Sequence, residues 1–416
     1  MLLKKLISVK NEFNNFTHSE KLFILLAMLC GFLINAGYSI VRPVSESFFM
    51  TAYGSGAFPY AWIIGIPFNL LIVALYNRYL PQWGCRKTFF ISTSIVISTI
   101  LLAVFLFRTG GLFSFLFYLW KEVFILIMFQ QLWSIIHSTI KFEKAKYLYG
   151  IFFAFGGLGS IFASALPGFL AVKLGSENLL YSAIPIYILL TIFYCALLKH
   201  SHPSIHVEKE APLKDGISLV LKSKPLIFIL LILVFMQLAS TFVNFQFNTI
   251  LEKTVQGEDL RTEYYGKIHG LGSFVTVSLQ LAGSFFLVHF LGLRRGHLFV
   301  PLFLILNAIG SLFMPTFRMI AASYITIKAF DFSIFGVLKE MLYIPLSHEE
   351  KFQAKTFIDV FVYRASKALG ALLILLFQFV GASMNALSWS LMGILAIWCL
   401  VVFKMFITQP LLVEEK

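Results

Sequence analysis

Twelve stretches of about 20 apolar residues, parted by short charged breaks, constrain this chain more than any other feature. A stretch of that length crosses the roughly 30 Å hydrocarbon core of a bilayer as an α-helix. The stretches are residues 21–41, 57–77, 88–108, 112–136, 147–171, 179–198, 225–247, 264–291, 297–315, 317–338, 355–381 and 385–407. Composition agrees, since 59% of the 416 residues are hydrophobic and 13% are charged. A soluble domain runs nearer half apolar and a quarter charged. A soluble one-domain protein and a disordered chain are therefore excluded. The expected fold class is an all-α polytopic membrane protein of 12 transmembrane helices in two six-helix halves.

The boundaries follow from the breaks. A cytoplasmic N-tail (1–20) precedes an N-terminal half (21–198). The longest hydrophilic break (199–224) forms a cytoplasmic central loop. A C-terminal half (225–407) and a cytoplasmic C-tail (408–416) complete the chain. The N-tail is polar and carries no small-residue cleavage site, so no removable signal peptide is expected.

The net charge of +13 would suggest nucleic acid in a soluble protein. Here it fits the positive-inside rule. With the N-terminus inside, 22 Lys and Arg fall on the cytoplasmic side and 6 on the other. No nucleic-acid partner is expected. Cys30, Cys85, Cys195 and Cys399 lie far apart with no Cys-x-x-Cys spacing, so neither zinc nor a disulfide framework is indicated. His200, His202 and His206 read as an exposed linker rather than a metal site. His137 and His269 stand alone, and no Ser/His/Asp constellation converges at one depth. An enzyme is not expected, nor any metal or cofactor.

The halves echo each other. Gly84-Cys85-Arg86-Lys87 between spans 2 and 3 matches Gly292-Leu293-Arg294-Arg295 between spans 8 and 9, an offset of 208. Glu143-Lys144 matches Glu350-Lys351 at an offset of 207. Two such halves in parallel repeat are the major-facilitator architecture, in which the halves rock about a midplane site. Glycine followed by two cations suits a tight loop against helix carbonyl ends, although plain positive-inside charge accounts for Arg86 and Arg294 nearly as well. The glycines of span 5, from Gly150 to Gly159, suit close helix packing.

Ionisable residues within spans cost a few kcal/mol or more, so each is a functional candidate. They are Arg42 and Glu46 at the outer end of span 1, Lys121 and Glu122 in span 4, Lys267 near the start of span 8, Lys328 and Asp331 in span 10, and Asp359, Arg364 and Lys367 in span 11. Arg364 and Lys367 lie three apart and share a helix face, as do Lys328 and Asp331. The second pair can neutralise itself; the first repels unless an anion lies between. Six cations against four acids make a net positive interior, which favours an anionic solute. Arginine suits phosphate or carboxylate through its fork, and lysine as a point charge.

From span 10 to span 11 the wording becomes specific. Lys339-Glu340-Met341-Leu342-Tyr343-Ile344-Pro345-Leu346 precedes Lys355-Thr-Phe-Ile358-Asp359-Val360 and then Arg364-Ala-Ser366-Lys367-Ala-Leu-Gly370. This closely resembles the nucleotide transporter family, the ADP/ATP translocases of intracellular bacteria and plastids. Weaker echoes are Arg42-Pro-Val-Ser45-Glu46 with Thr51-Ala52, then Ala145-Lys146-Tyr147-Leu148-Tyr149, and Tyr265-Gly266-Lys267. Ser45 stands where the family has lysine, Asn244 where it has an acid, and Asp331 where it has lysine.

The resemblance implies a secondary transporter of a nucleotide or nucleotide-like phosphorylated anion, working by ATP/ADP-type exchange or import. The bacterial inner (cytoplasmic) membrane is expected, with both termini cytoplasmic as the loop charges indicate; the oligomeric state stays open, a monomer included. No Walker motif is present, so ATP would be cargo. Expected substrate ligands are Arg42, Ser45, Glu46, Lys121, Glu122, Asn244, Lys267, Lys328, Asp331, Asp359, Arg364 and Lys367. Expected gate residues are Arg86, Lys87, Arg294, Arg295, Glu143, Lys144, Lys339 and Glu340. The alternative is a proton-coupled major-facilitator carrier of a non-nucleotide organic anion or vitamin.

Overall fold

In a computed structural model, the protein is all-helical. It describes residues 17–107, 111–140, 142–201, 213–347, 355 and 357–408; of residues 142–151, 213–216, 282–291 and 360 only the backbone is described. Helix α1 is His18–Tyr53, α2 Phe58–Leu106, α3 Gly111–Thr139, α4 Phe142–Leu174 and α5 Ala183–Lys199. A linker helix, α6 (Leu213–Lys222), leads into α7 (Lys224–Thr254) and α8 (Glu258–Ser278). Then come α9 (Ser284–Phe313), α10 (Phe317–Phe330), α11 (Gly336–Tyr343), α12 (Tyr363–Phe379) and α13 (Met384–Thr408).

Among the described residues, ten helical stretches are long and apolar enough to cross a membrane. Expected spans 2 and 3 both lie within one of them, Ser55–Leu106. Its 52 residues would measure about 78 Å as one helix, more than twice the hydrocarbon core. Gly84 breaks it, with φ 70° and ψ 164°. Gly292 breaks α9 with φ 69° and ψ 174°. A side chain opposes positive φ, so glycine is what lets each chain turn here. The two loops matched by sequence thus share one backbone device. Expected span 8 is not among the ten: its first half, in α8, carries Lys267 and His269.

The described residues form two compact units. The first draws on Met1–Ala52, Phe68–Val207 and Gly257–Phe274, the second on Tyr53–Pro67, Glu208–Gln256 and Val275–Lys416. Each contains a short segment from the other half of the sequence, and the two segments occupy equivalent places in the 208-residue repeat.

The core of the first unit is built on α1, which buries apolar side chains from Phe23 to Phe48. Small residues let neighbours close on it. A Cβ on Gly159 of α4 would collide with the Phe32 carbonyl of α1, and one on Gly37 would stand 2.6 Å from the Tyr187 ring of α5. In the second unit α7 packs against α10, α12 and α13, with Gly370 of α12 facing Thr241 of α7.

Among the described residues, three π-helical turns interrupt the second half of the chain: Leu279–Gly283, Asp331–Phe335 and Phe357–Val362. Such turns re-aim side chains and recur at functional sites. Asp331 and Asp359 each sit in one.

Candidate charge networks and substrate site

In the first unit Arg42, Glu46, Lys121, Glu122 and His269 form one connected group. Arg42 and Glu46 stand one turn apart on α1, with Arg42 Nε 2.9 Å from Glu46 Oε1. Lys121 of α3 is completely buried; its Nζ lies 3.6 Å from Glu46 Oε1 and bonds Glu122 Oε1. Tyr38 donates its hydroxyl to Glu122 at 3.1 Å. His269 Nε2 of α8 meets Glu46 Oε2 at 2.8 Å. Aromatic faces line the cations, with Lys121 4.3 Å from the Tyr118 centroid and Arg42 5.9 Å from that of Tyr38. Such faces favour cations in a site poor in water.

Two cations, Arg42 and Lys121, thus face two acids, Glu46 and Glu122. Leaving the buried charge of Lys121 or Glu46 unpaired would cost several kcal/mol, which is why partners assemble around them. The excess of cations counted in the sequence is absent from this group. Lys267 does not join it but pairs at 3.0 Å with Glu263, one turn away on α8, between the Phe169 and Tyr264 rings. Ser45 is 1% exposed, and its hydroxyl makes no hydrogen bond among the described residues.

His269, which stands alone in the sequence, is part of the group. Its contact with Glu46 spans 223 residues, a separation no local pattern encodes. Tyr38 was also missed, since one tyrosine in an aromatic-rich span carries no signal.

In the second unit, Lys328 of α10 donates to Ser240 Oγ of α7 at 3.0 Å beside the Tyr324 ring. Asp331, 8% exposed, accepts from Gln237 Nε2 at 3.2 Å through both oxygens. Asn244, half-buried on α7, accepts from Asn248 at 3.3 Å. Gln237 and Ser240 are the partners sequence reasoning missed.

Asp359 was grouped with the substrate ligands, but its carboxylate lies 2.6 Å from Lys339, a gate candidate. Lys355 in turn holds Glu340 at 2.6 Å. Lys339, Glu340, Lys355 and Asp359 form a chain of alternating charge between α11 and the turn that leads into α12. Arg364 and Lys367 follow one turn apart on α12, both half-buried.

Of the remaining gate candidates, Arg86, Lys87, Arg294 and Arg295 are exposed beside the two glycine breaks. Lys87 lies over Trp83 and Arg294 over Phe406. The side chains of Glu143 and Lys144 lie outside the described residues, as do Glu350, Lys351, His202 and His206.

Near the start of α8, Glu258 is half-buried beside Asp259 and Glu177. Burial first, then these two acids, raises its carboxyl to about 7. The Ser47 hydroxyl bonds the Glu258 carbonyl, and the Ser176 amide bonds Asp259 at 2.7 Å. These bonds tie the start of α8 into the first unit.

Residues 313–408, from the end of α9 through α13, match the TLC ATP/ADP transporter family model. Over 92% of its length the chain is 23% identical to "ADP,ATP carrier protein 1" of Chlamydia trachomatis, covering 88% of that protein. It is 20% identical to the protein of that name from Rickettsia bellii, over 86% of this chain and 85% of the relative. Identity rises to 40% over 75 residues, 17% of this chain and 14% of the relative, against "ADP,ATP carrier protein 2" of Chlamydia pneumoniae.

The chain is thus similar to the TLC ATP/ADP transporter family over residues 313–408, and at low identity to ADP,ATP carrier proteins over most of its length.

Its fold is major-facilitator-like. The solved nucleoside transporter NupG superposes with a TM-score of 0.63 at 15% identity, over 92% of this chain and 99% of that one. A bacterial metal transporter superposes with a TM-score of 0.63 at 14% identity, over 94% and 99%. At such identities the likeness is one of fold. The family-matched segment contains Lys328, Asp331, Lys339, Asp359, Arg364 and Lys367. Similarity to a transporter family, together with ten crossing-length helices among the described residues, marks this as an integral membrane protein.

Proposed function

We propose that this chain exchanges nucleotides, ATP-type against ADP-type, across the bacterial cytoplasmic membrane by alternating access. The observation that carries the proposal is the family match over residues 313–408, which covers the half-buried cations Arg364 and Lys367 on one face of α12. A polyphosphate suits that face, because a guanidinium and an ammonium one turn apart present a fork and a point charge to neighbouring phosphate oxygens.

The first unit supplies the complementary half of the reaction cycle. In the arrangement seen, Glu46 and Glu122 hold Arg42 and Lys121. An arriving phosphate would replace a carboxylate as partner, so the cations never stand bare in a dry site. Reorienting without cargo then keeps the carboxylates in place, and reorienting with cargo releases them. Ser45, buried with an unengaged hydroxyl, offers a neutral ligand in the same neighbourhood.

Counting Ser55–Leu106 as two crossings separated at Gly84, and α8 with its continuation to Gly292 as another, gives twelve. With an even number both termini face the cytoplasm, as the 22 to 6 bias of loop cations requires. Lys339–Asp359 and Lys355–Glu340 would then serve as cytoplasmic gate pairs.

The experiment is uptake of labelled ATP and ADP by proteoliposomes, with and without internal nucleotide, for the wild type and for Arg364→Ala/Lys367→Ala. Uptake that saturates, rises with internal nucleotide and disappears in the double variant is expected. Folded protein that carries no nucleotide under any loading would refute the reading.

A further inference from the structure

A feature of the first unit is left unused by exchange of a soluble anion. The two legs of α2, on either side of Gly84, and α3 enclose a crevice of about 330 Å³. Ile72, Leu75, Ile91, Ile95, Ile127 and Met128 are among its walls, which are almost wholly apolar. Leu75 and Ile95 are 41% and 44% exposed, so the crevice opens sideways, toward the surface that faces lipid.

At one end stands Trp83, stacked on Tyr79 with centroids 4.7 Å apart. Trp83 also lines a second, shallower cleft of about 760 Å³ between α2 and α5. Arg86, Lys87 and Lys199 line that cleft, and no acid does among the described residues. Tryptophan and tyrosine beside cations mark the level where hydrocarbon meets water. From Ile72 to Trp83 is eleven residues, about 16 Å of helix. That is close to the thickness of one hydrocarbon leaflet, about 15 Å.

An apolar trough one leaflet deep, joined through a shared tryptophan to three cations at the interface, calls for an amphipathic occupant with an anionic head. We propose that it binds one anionic phospholipid of the cytoplasmic leaflet, acyl chains in the crevice and phosphate among Arg86, Lys87 and Lys199. The leaflet assignment rests on the orientation proposed above; the chemistry of the occupant does not. A soluble nucleotide would satisfy the cations and leave the trough empty. A zwitterionic lipid would fill the trough and gain little from the cations.

The trough also touches the charge network at one remove. Trp120 lines it and bonds Thr99 Oγ1 at 3.0 Å, and the next residue on α3 is Lys121. An occupied trough therefore braces the turn of α3 that presents Lys121 and Glu122.

The test uses the full chain in nanodiscs containing phosphatidylglycerol or phosphatidylcholine brominated on the acyl chain, at equal mole fraction. Bromine quenches the fluorescence of a tryptophan it touches. Subtracting the Trp83→Phe/Trp120→Phe variant isolates the two tryptophans of the trough. We expect stronger quenching by the anionic lipid, with its preference roughly fivefold weaker for each cation removed in Arg86→Gln, Lys87→Gln and Lys199→Gln. If those variants do not fold, a salt titration of the wild type replaces them, since screening must erode the preference. Equal quenching by the two lipids overturns the proposal. So does a preference indifferent to both salt and substitution. Loss of the preference on adding inorganic phosphate or ATP at an ionic strength held constant with chloride overturns it too, and makes the cleft a site for soluble anions.

Discussion

Removing Lys121 alone should destabilise the protein more than removing it together with Glu122. Lys121 is fully buried, 3.6 Å from Glu46 and hydrogen-bonded to Glu122. At an effective dielectric of about 20, a pair near 4 Å interacts by about 4 kcal/mol. Lys121→Met forfeits that attraction and leaves Glu46 and Glu122 with Arg42 as their one formal cation in the group. The expected loss is about 3–5 kcal/mol. In Lys121→Met/Glu122→Gln the second change withdraws the stranded charge. Glu46 keeps Arg42 at 2.9 Å, and Tyr38 keeps an amide oxygen to donate to. Neutral groups in place of an ion pair are often near neutral, and Glu122 is 42% exposed, so the double variant should recover part of the loss. The assay is thermal unfolding of purified protein in one detergent at fixed scan rate, for both single variants, the double and the wild type. Such unfolding is commonly irreversible, so apparent midpoints are compared. A double variant no more stable than Lys121→Met would refute the reasoning, because it would mean Lys121 contributes by packing and not by charge.

Other outcomes follow from separate features. Glu258, raised to about 7 from an unfolded value near 4.3, holds its stability below the unfolded value and loses it as pH rises through 7. Glu258→Gln should therefore raise the unfolding midpoint at pH 8, by of order 1 kcal/mol once partial solvation is discounted, and leave it unchanged at pH 4; a gain that is the same at both would contradict the assignment. Gly84→Ala should cost about 1–2 kcal/mol, all of it backbone strain, since no atom lies within 4 Å of the added methyl; unaltered stability would show that the break relaxes to negative φ. Gly159→Val should prevent assembly of α4 on α1, where a side chain meets the Phe32 carbonyl, whereas Gly393→Ala, with open space around it, should express at wild-type levels. Lys339→Gln and Asp359→Asn should each impair transport more than stability, because this pair, 13% and 25% exposed, is partly solvated; a large loss of stability with normal uptake would make it a structural strut instead.

The membrane class, the loop cations and the family resemblance were all legible in the sequence. Hydropathy and charge bias add up along the chain, so neither needs a fold to be read. The match of Gly84 with Gly292 was legible for a related reason: positive φ leaves a mark that one residue type records. Pairing was a different matter. Helical spacing offered Lys328 to Asp331 and left His269 without a role. The fold adds Ser240 beside Lys328, Gln237 beside Asp331 and Glu46 beside His269, and sets Asp359 beside Lys339. Charge partners in a dry interior are chosen by which helices meet at one depth, and that is a property of packing. The same holds for the trough beside Trp83, whose walls come from three helical segments that only the tertiary structure brings together.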